Sequence, residues 1–221
     1  MQYKYHNIIF DLDGTLLNTI TDLAMATNQA LEQLGFPTHS EEAYKIFVGN
    51  GIDILFERAL HETERNAENI LKMRALFLPY YQIHNSDFTA PYFGILNTLQ
   101  TLKQNGIKLA VATNKYHEAA IEVMDNYFPE IEFDVVFGHR EGYLPKPDPA
   151  IVFDILEFCK IDNKSDAIYV GDTSVDMQTA KNAGLEAVGV TWGFRSEEEL
   201  KAYHPKYIIH KAEELLDIVL V

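Results

Sequence analysis

The hydrophobic positions of this chain change period twice. Residues 6–12 form a short apolar run, Ile8-Ile9-Phe10 at its centre, that stops at Asp13-Gly14; this is the pattern of a strand buried on both faces. From about residue 16 to 85 the period is helical, and no strand is expected there. Ile20, Leu23, Ala24, Leu31 and Leu34 share one helical face, and Gly35 followed by Pro37 ends that helix. Ser40-Glu41-Glu42 opens a short helix, and residues 52–60 and 64–81 supply two more. From Tyr92 onward strand and helix alternate. Strands are expected at 108–112, 133–137, 167–170, 187–190 and 207–209. Helices are expected at 95–102, 116–127, 150–158 and 174–183, with a last one near the C-terminus.

Alternation of this kind predicts an α/β fold, a parallel sheet covered by helices on both faces. The helical block interrupts that sheet after its first strand. The expected organisation is therefore a core of residues 1–15 and 86–221 with an insert of residues 16–85. Hinge-like segments flank the insert near 16–18 and 84–91. The chain of 221 residues is long enough for a core plus a small second unit.

Charge narrows the partners. The formal net charge is -15, which argues against binding nucleic acid or an anionic membrane surface. It also repels small anions, so a phosphate substrate would need local cations. The single cysteine, Cys159, excludes an intrachain disulfide and fits a buried thiol in a reducing, cytoplasmic setting. The N-terminal residues lead into a strand without a secretory-signal core, and no apolar run reaches membrane-spanning length.

In an open parallel sheet, ligands bind at the carboxyl ends of the strands. Four of the expected strands deliver polar groups there. The first brings Asp11 and Asp13, followed by Gly14 and Thr15. The second ends in Thr113-Asn114-Lys115. The stretch after the third carries Lys146 among prolines, and the fourth ends in Gly171-Asp172, with Asp176 beyond. Each has an ordinary structural reading. Asp-Gly makes turns, Thr113 could cap a helix, Lys146 could be a solvated loop lysine, and Asp172 and Asp176 could cap the helix after them. Together they describe one phosphate site. Asp11 and Asp172 are hard oxygen ligands suited to Mg²⁺. Asp11 is placed to attack phosphorus, and Asp13 to protonate the leaving oxygen and then activate water. Thr113 and main-chain N–H groups would hold the phosphoryl oxygens, and Lys146 would neutralise charge.

These residues resemble the four motifs of the haloacid dehalogenase superfamily: Asp11-Leu12-Asp13-Gly14-Thr15, Thr113-Asn114, Lys146-Pro147, and Gly171-Asp172 through Asp176. The resemblance spans essentially the whole chain. It implies a Rossmann-like parallel sheet core, haloacid dehalogenase-like, with an inserted α-helical cap domain that opens and closes. It implies Asp11 as nucleophile and Asp13 as acid/base. Mg²⁺ would be held by the Asp11 carboxylate, the Asp13 main-chain carbonyl and Asp172, with Asp176 supporting it directly or through water. Lys146 would orient the nucleophile, and Gly14, Thr113, Asn114 and Lys146 would contact the phosphate. Asp13 is absent from most of the name-giving dehalogenases, so its presence favours phosphatase chemistry.

The cap segment from Val48 to Leu60 is similar to that of phosphoglycolate phosphatases, as is Tyr92-Phe93-Gly94 to a segment of that cap class. Asn50 and Arg58 would face substrate from the cap; Gly49-Asn50-Gly51 also reads simply as a helix–helix turn. The expected activity is Mg²⁺-dependent hydrolysis of a small phosphorylated metabolite, phosphoglycolate foremost, by a monomer or homodimer. Open alternatives are a β-phosphoglucomutase-like phosphotransferase and a pyrophosphatase or nucleotidase of the same superfamily. A phospho-accepting receiver module would be shorter and would lack both the insert and Asp13. The histidines are scattered without ligand spacing, and Trp192 and Phe194 read as packing near the site.

Overall fold

Every residue of the first strand is buried, because the strand lies at the centre of a parallel sheet with helices on both faces. The computed structural model describes residues 3–220. In chain order the elements begin with β1 (Asn7–Phe10), β2 (Leu17–Asn18), α1 (Ile20–Gln33), α2 (Glu41–Phe47), α3 (Ile52–Ala59) and α4 (Ala67–His84). They continue with β3 (Ala90–Pro91), α5 (Ile95–Gln104), β4 (Lys108–Tyr116), α6 (His117–Tyr127), β5 (Val135–His139) and α7 (Ala150–Phe158). The last are β6 (Ala167–Gly171), α8 (Ser174–Ala183), β7 (Glu186–Val190), α9 (Glu197–Ala202), β8 (Tyr207–Ile209) and α10 (Glu214–Val219).

The chain forms two compact units. One is the chain up to Leu17 and from Pro91 on; the other is Asn18–Ala90. The crossings expected at 15/16 and 85/86 therefore lie at 17/18 and 90/91. There β2 and β3 pair as a two-stranded ribbon. Two residues per strand are too few to show a period, and so the helical reading of 16–85 contained no strand.

In the larger unit the strand order is β5-β4-β1-β6-β7-β8, all parallel. Ile8 pairs with Leu109 and Ile168, and Phe10 with Val111 and Val170. Successive strand residues point to opposite faces, so the two faces hold separate cores. Ile8 and Phe10 pack with Leu99 of α5, Val123 of α6 and Leu215 of α10. Ile9 packs with Val152 of α7, Ala180 of α8 and Leu200 of α9. The buried Cys159 joins this second core. The chain runs outward from β1 to β5 on one side and then from β6 to β8 on the other. Its direction of travel reverses between β1 and β6, the crevice where open α/β sheets bind ligands.

The smaller unit is helical. Phe56 of α3 meets Phe77 of α4 edge-on, with ring centroids 5.3 Å apart, and Phe77 stacks on Tyr81. The helix expected over 64–81 starts later, at Ala67 behind the Asn66 N-cap, and runs on to His84 through Pro79. Asp22 of α1 is buried and accepts hydrogen bonds from the Phe88 N–H (3.0 Å), the Thr89 N–H (2.9 Å) and the Thr89 hydroxyl (2.7 Å). It thereby fastens the returning chain to α1. Among the described residues no helix is long and apolar enough to cross a membrane.

Asp22→Ala strands the buried Thr89 N–H and hydroxyl, so it should lower unfolding free energy by about 2–4 kcal/mol, read by urea denaturation. A change below about 0.5 kcal/mol would contradict this role.

Candidate active site

The carboxyl ends of β1 and β6 and the first turn of α8 come together around one lysine. Asp11 directly follows β1, and its N–H continues the ladder to the Val170 carbonyl at 2.9 Å. Asp172 directly follows β6, and Asp176 lies in the first turn of α8. Carboxylate oxygens of Asp11, Asp172 and Asp176 lie within 4.8 Å of one another, all buried. Lys146 reaches into this cluster and is itself 2 % exposed. Its Nζ lies 2.8 Å from Asp11 Oδ1 and 2.8 Å from Asp176 Oδ1. The Ala112 carbonyl and the Tyr169 hydroxyl complete its surroundings at 2.9 and 3.0 Å. The solvated-loop reading of Lys146 is thus overturned.

Three buried carboxylates face one ammonium, and the imbalance shows in the proton affinities of Asp11 and Asp172. Burial, and then repulsion from Asp176, push Asp11 up to about 7, although Lys146 opposes the shift. Burial, Asp176 and Asp11 hold Asp172 well above the usual carboxylate range. Burial disfavours the charge on Lys146, but Asp11 and Asp176 outweigh it and hold the ammonium well above the usual lysine value. A buried acidic site short of positive charge fits a divalent cation with oxygen ligands.

The backbone is shaped around Asp172. Gly14 has φ +92°, and a Cβ on it would lie 2.3 Å from Asp172 Oδ2. A Cβ on Gly193 would lie 2.3 Å from the Asp172 Cβ. The Thr15 hydroxyl donates to Asp172 Oδ1 at 3.0 Å, and the Phe194 N–H donates to Oδ2 at 2.8 Å. Trp192 anchors the same loop by donating to the Thr15 carbonyl at 3.0 Å. Trp192 and Phe194, read from the sequence as packing near the site, also supply these hydrogen bonds. Thr15 stood in the first motif without a role of its own, and Gly193 declares itself only once the chain has folded. Asp176 does cap α8, as its ordinary reading had it: Thr173 and Asp176 form a reciprocal capping box. It serves both purposes, one oxygen turned to Thr173 and the other to Lys146.

The strand expected at 108–112 continues to Tyr116, with a register shift between Ala112 and Tyr116. Irregularities of this kind re-aim side chains, and this one carries Thr113, Asn114 and Lys115. Thr113 is buried and accepts from the Lys115 N–H at 3.2 Å; it is not a helix cap, since α6 begins at His117. Both ends of the Asn114 amide meet the Lys146 main chain: Oδ1 accepts from the N–H at 2.8 Å and Nδ2 donates to the carbonyl at 3.1 Å. Lys115 Nζ lies 3.0 and 3.3 Å from the two Asp13 carboxylate oxygens. The remaining expected pair lies in the helical unit. Arg58 donates to Asn50 Oδ1 at 2.8 Å and to the Phe47 carbonyl at 2.9 Å, which satisfies a terminal carbonyl of α2.

A family model for haloacid dehalogenase-like hydrolases matches residues 8–190. The chain belongs to this family. It is an enzyme, a phosphatase of the haloacid dehalogenase-like hydrolases, and several relatives match it over nearly the full length of both chains. A phosphoglycolate phosphatase of Vibrio parahaemolyticus is 34% identical over 219 residues, covering 97% of this chain and 96% of its own. A predicted phosphoglycolate phosphatase structure from Haemophilus somnus superposes with a TM-score of 0.89 at 28% identity, covering 97% of this chain and 98% of its own. A haloacid dehalogenase-like family hydrolase from Streptococcus pneumoniae gives 0.87 at 25% identity, covering 97% and 98%.

A cation entering this site must displace the proton that Asp11 holds below about pH 7. A divalent cation such as Mg²⁺ should therefore raise the melting temperature more near pH 8 than near pH 6, with apparent affinity falling about tenfold for each proton displaced per pH unit. An equal or larger rise at the lower pH would contradict the buried site.

Proposed function

We propose that this enzyme hydrolyses 2-phosphoglycolate with Mg²⁺, through an aspartyl-phosphate on Asp11. The observation that carries the reading is the clamped position of Asp11. Lys146 fixes one of its oxygens, at the mouth of the crevice between β1 and β6, beside Asp172 and Asp176. The choice of substrate is supported by the full-length relatives named phosphoglycolate phosphatase.

The cation would be held by the Asp11 carboxylate, the Asp13 main-chain carbonyl and Asp172, with Asp176 supporting. When bound, Mg²⁺ supplies positive charge that offsets repulsion between Asp11 and the phosphoryl oxygens. A carboxylate oxygen of Asp11 bonds to phosphorus as the bond to the glycolate oxygen breaks. Asp13 gives its proton to that leaving oxygen. Asp13 then takes a proton from water, whose oxygen attacks the aspartyl-phosphate, releasing phosphate and restoring Asp11. Thr113 and main-chain N–H groups of the loop after β1 would hold the phosphoryl oxygens; Gly14, expected to contact phosphate, instead donates its N–H to the Leu17 carbonyl at 2.8 Å. Asn114 contributes by fixing the Lys146 main chain.

Phosphate release from 2-phosphoglycolate, sugar phosphates, nucleoside monophosphates and pyrophosphate tests the reading. Release should require Mg²⁺, be fastest on 2-phosphoglycolate, and fall at least about 10³-fold in Asp11→Asn. A faster ester would reassign the substrate, and an active Asp11→Asn would overturn the mechanism.

A further inference from the structure

The loop after β7 reaches across a strand. In the sheet β7 lies between β6 and β8, so β6 separates it from β1. Residues 192–194 nonetheless touch what both β1 and β6 deliver. The Trp192 indole N–H donates to the Thr15 carbonyl at 3.0 Å, in the loop that follows β1. Two residues on, the Phe194 N–H donates to Asp172 Oδ2 at 2.8 Å, just past β6. Gly193, between them, lies so close to Asp172 and to the Gly14 carbonyl that a Cβ on it would strike both. The two ends of this strap are themselves fixed. The Thr191 N–H donates to the Ile209 carbonyl of β8 at 3.1 Å, and Ser196 caps α9 by accepting from the Glu199 N–H at 3.3 Å.

The proposed cation ligands come from the same two places: the Asp13 carbonyl from the loop after β1, and the Asp172 carboxylate from the end of β6. Mg²⁺ needs near-ideal octahedral geometry, so it binds well only where the separation of its protein ligands is fixed. Two loops that leave different strands do not fix it by themselves. The strap does, because Thr15 is held at both ends. Trp192 holds its carbonyl, and its hydroxyl donates to Asp172 Oδ1 at 3.0 Å. Releasing the carbonyl frees Thr15 to turn and loosens the hydroxyl from Asp172. Partners of metal ligands act on affinity in this way, typically by about 10- to 100-fold.

We infer that Trp192 is a positioning residue for the cation site: acting through Thr15, it holds the loop after β1 in place against Asp172. The inference rests on the reading of Asp172 and the Asp13 carbonyl as cation ligands. It gives Trp192 a role beyond packing, exerted without touching cation or substrate.

The test is a calorimetric titration of the substrate-free enzyme with Mg²⁺, well below the melting temperature of every variant used. Trp192→Phe keeps an aromatic ring and removes the N–H; it should raise the Kd about 3- to 10-fold, the worth of one hydrogen bond. Thr15→Val removes the hydroxyl from Asp172 and should raise it about 10-fold or more, while Thr15→Ser, which keeps the hydroxyl, should restore most of the affinity. Because Trp192 acts through Thr15, adding Trp192→Phe to Thr15→Val should raise the Kd by less than about twofold more. An unchanged Kd in Trp192→Phe overturns the inference. So does a double variant whose two losses multiply in full, since Trp192 would then act by packing and not through Thr15. Either result leaves the cation reading intact, whereas a wild-type enzyme that binds no Mg²⁺ overturns that reading and the inference with it. Thermal melts establish that each variant is folded, and if Thr15→Val is not, the same cycle is run with Thr15→Ala.

Discussion

The site depends on one buried ammonium. Lys146 stands between Asp11 and Asp176 at 2.8 Å from each, and without it the chain would hold adjacent carboxylates out of water with no positive charge among them. A loop lysine is an unusual choice for such a place, since burial alone would strip its proton. The surrounding acids reverse that tendency. The lysine still leaves the cluster short of positive charge, and that shortage suits it to a divalent cation. A fully neutralised cluster would have no affinity for a divalent ion, and an uncompensated one would not stay ionised.

The fold supplies the members of this cluster from separate elements. Asp11 and Asp172 come from β1 and β6, which flank the reversal in strand order. Lys146 comes from the loop between β5 and α7, and Asn114 at the end of β4 holds its main chain. Close packing sets the remaining positions. Gly14 and Gly193 approach Asp172 so nearly that neither could bear a side chain without moving it. The Thr15 hydroxyl and the Phe194 N–H then fix its two oxygens.

Much of this was legible in the sequence because the strands of a doubly covered sheet are short apolar runs, and polar residues at their ends are conspicuous. Asp11, Asp172 and Asp176 are found together as the four strand ends implied. The parts that were not legible depend on pairings between distant segments. The two-residue strands β2 and β3 have no period to read. The irregularity at 113–115 is a matter of register, which the residues Thr113-Asn114-Lys115 do not announce. Asn114 was expected to contact phosphate, and both ends of its amide meet the Lys146 main chain. Asn50 and Arg58 were expected to face substrate; the structure shows them bonded to each other and to the end of α2. In both cases the residue type was informative, and its partner could be known only from the fold.

The central claim is that the Lys146 ammonium makes the carboxylate cluster tolerable. The most direct measurement is the unfolding free energy of Lys146→Met against wild type, with a chelator present, at about pH 5 and pH 8. Without the ammonium, the folded state keeps its acids protonated more strongly than the unfolded chain does, so stability is lost as pH rises. The variant should lose about 3–5 kcal/mol at the higher pH and clearly less at the lower one, where the acids take up protons. An equal loss at both would contradict the account, since it would mean that Lys146 contributes packing and not charge.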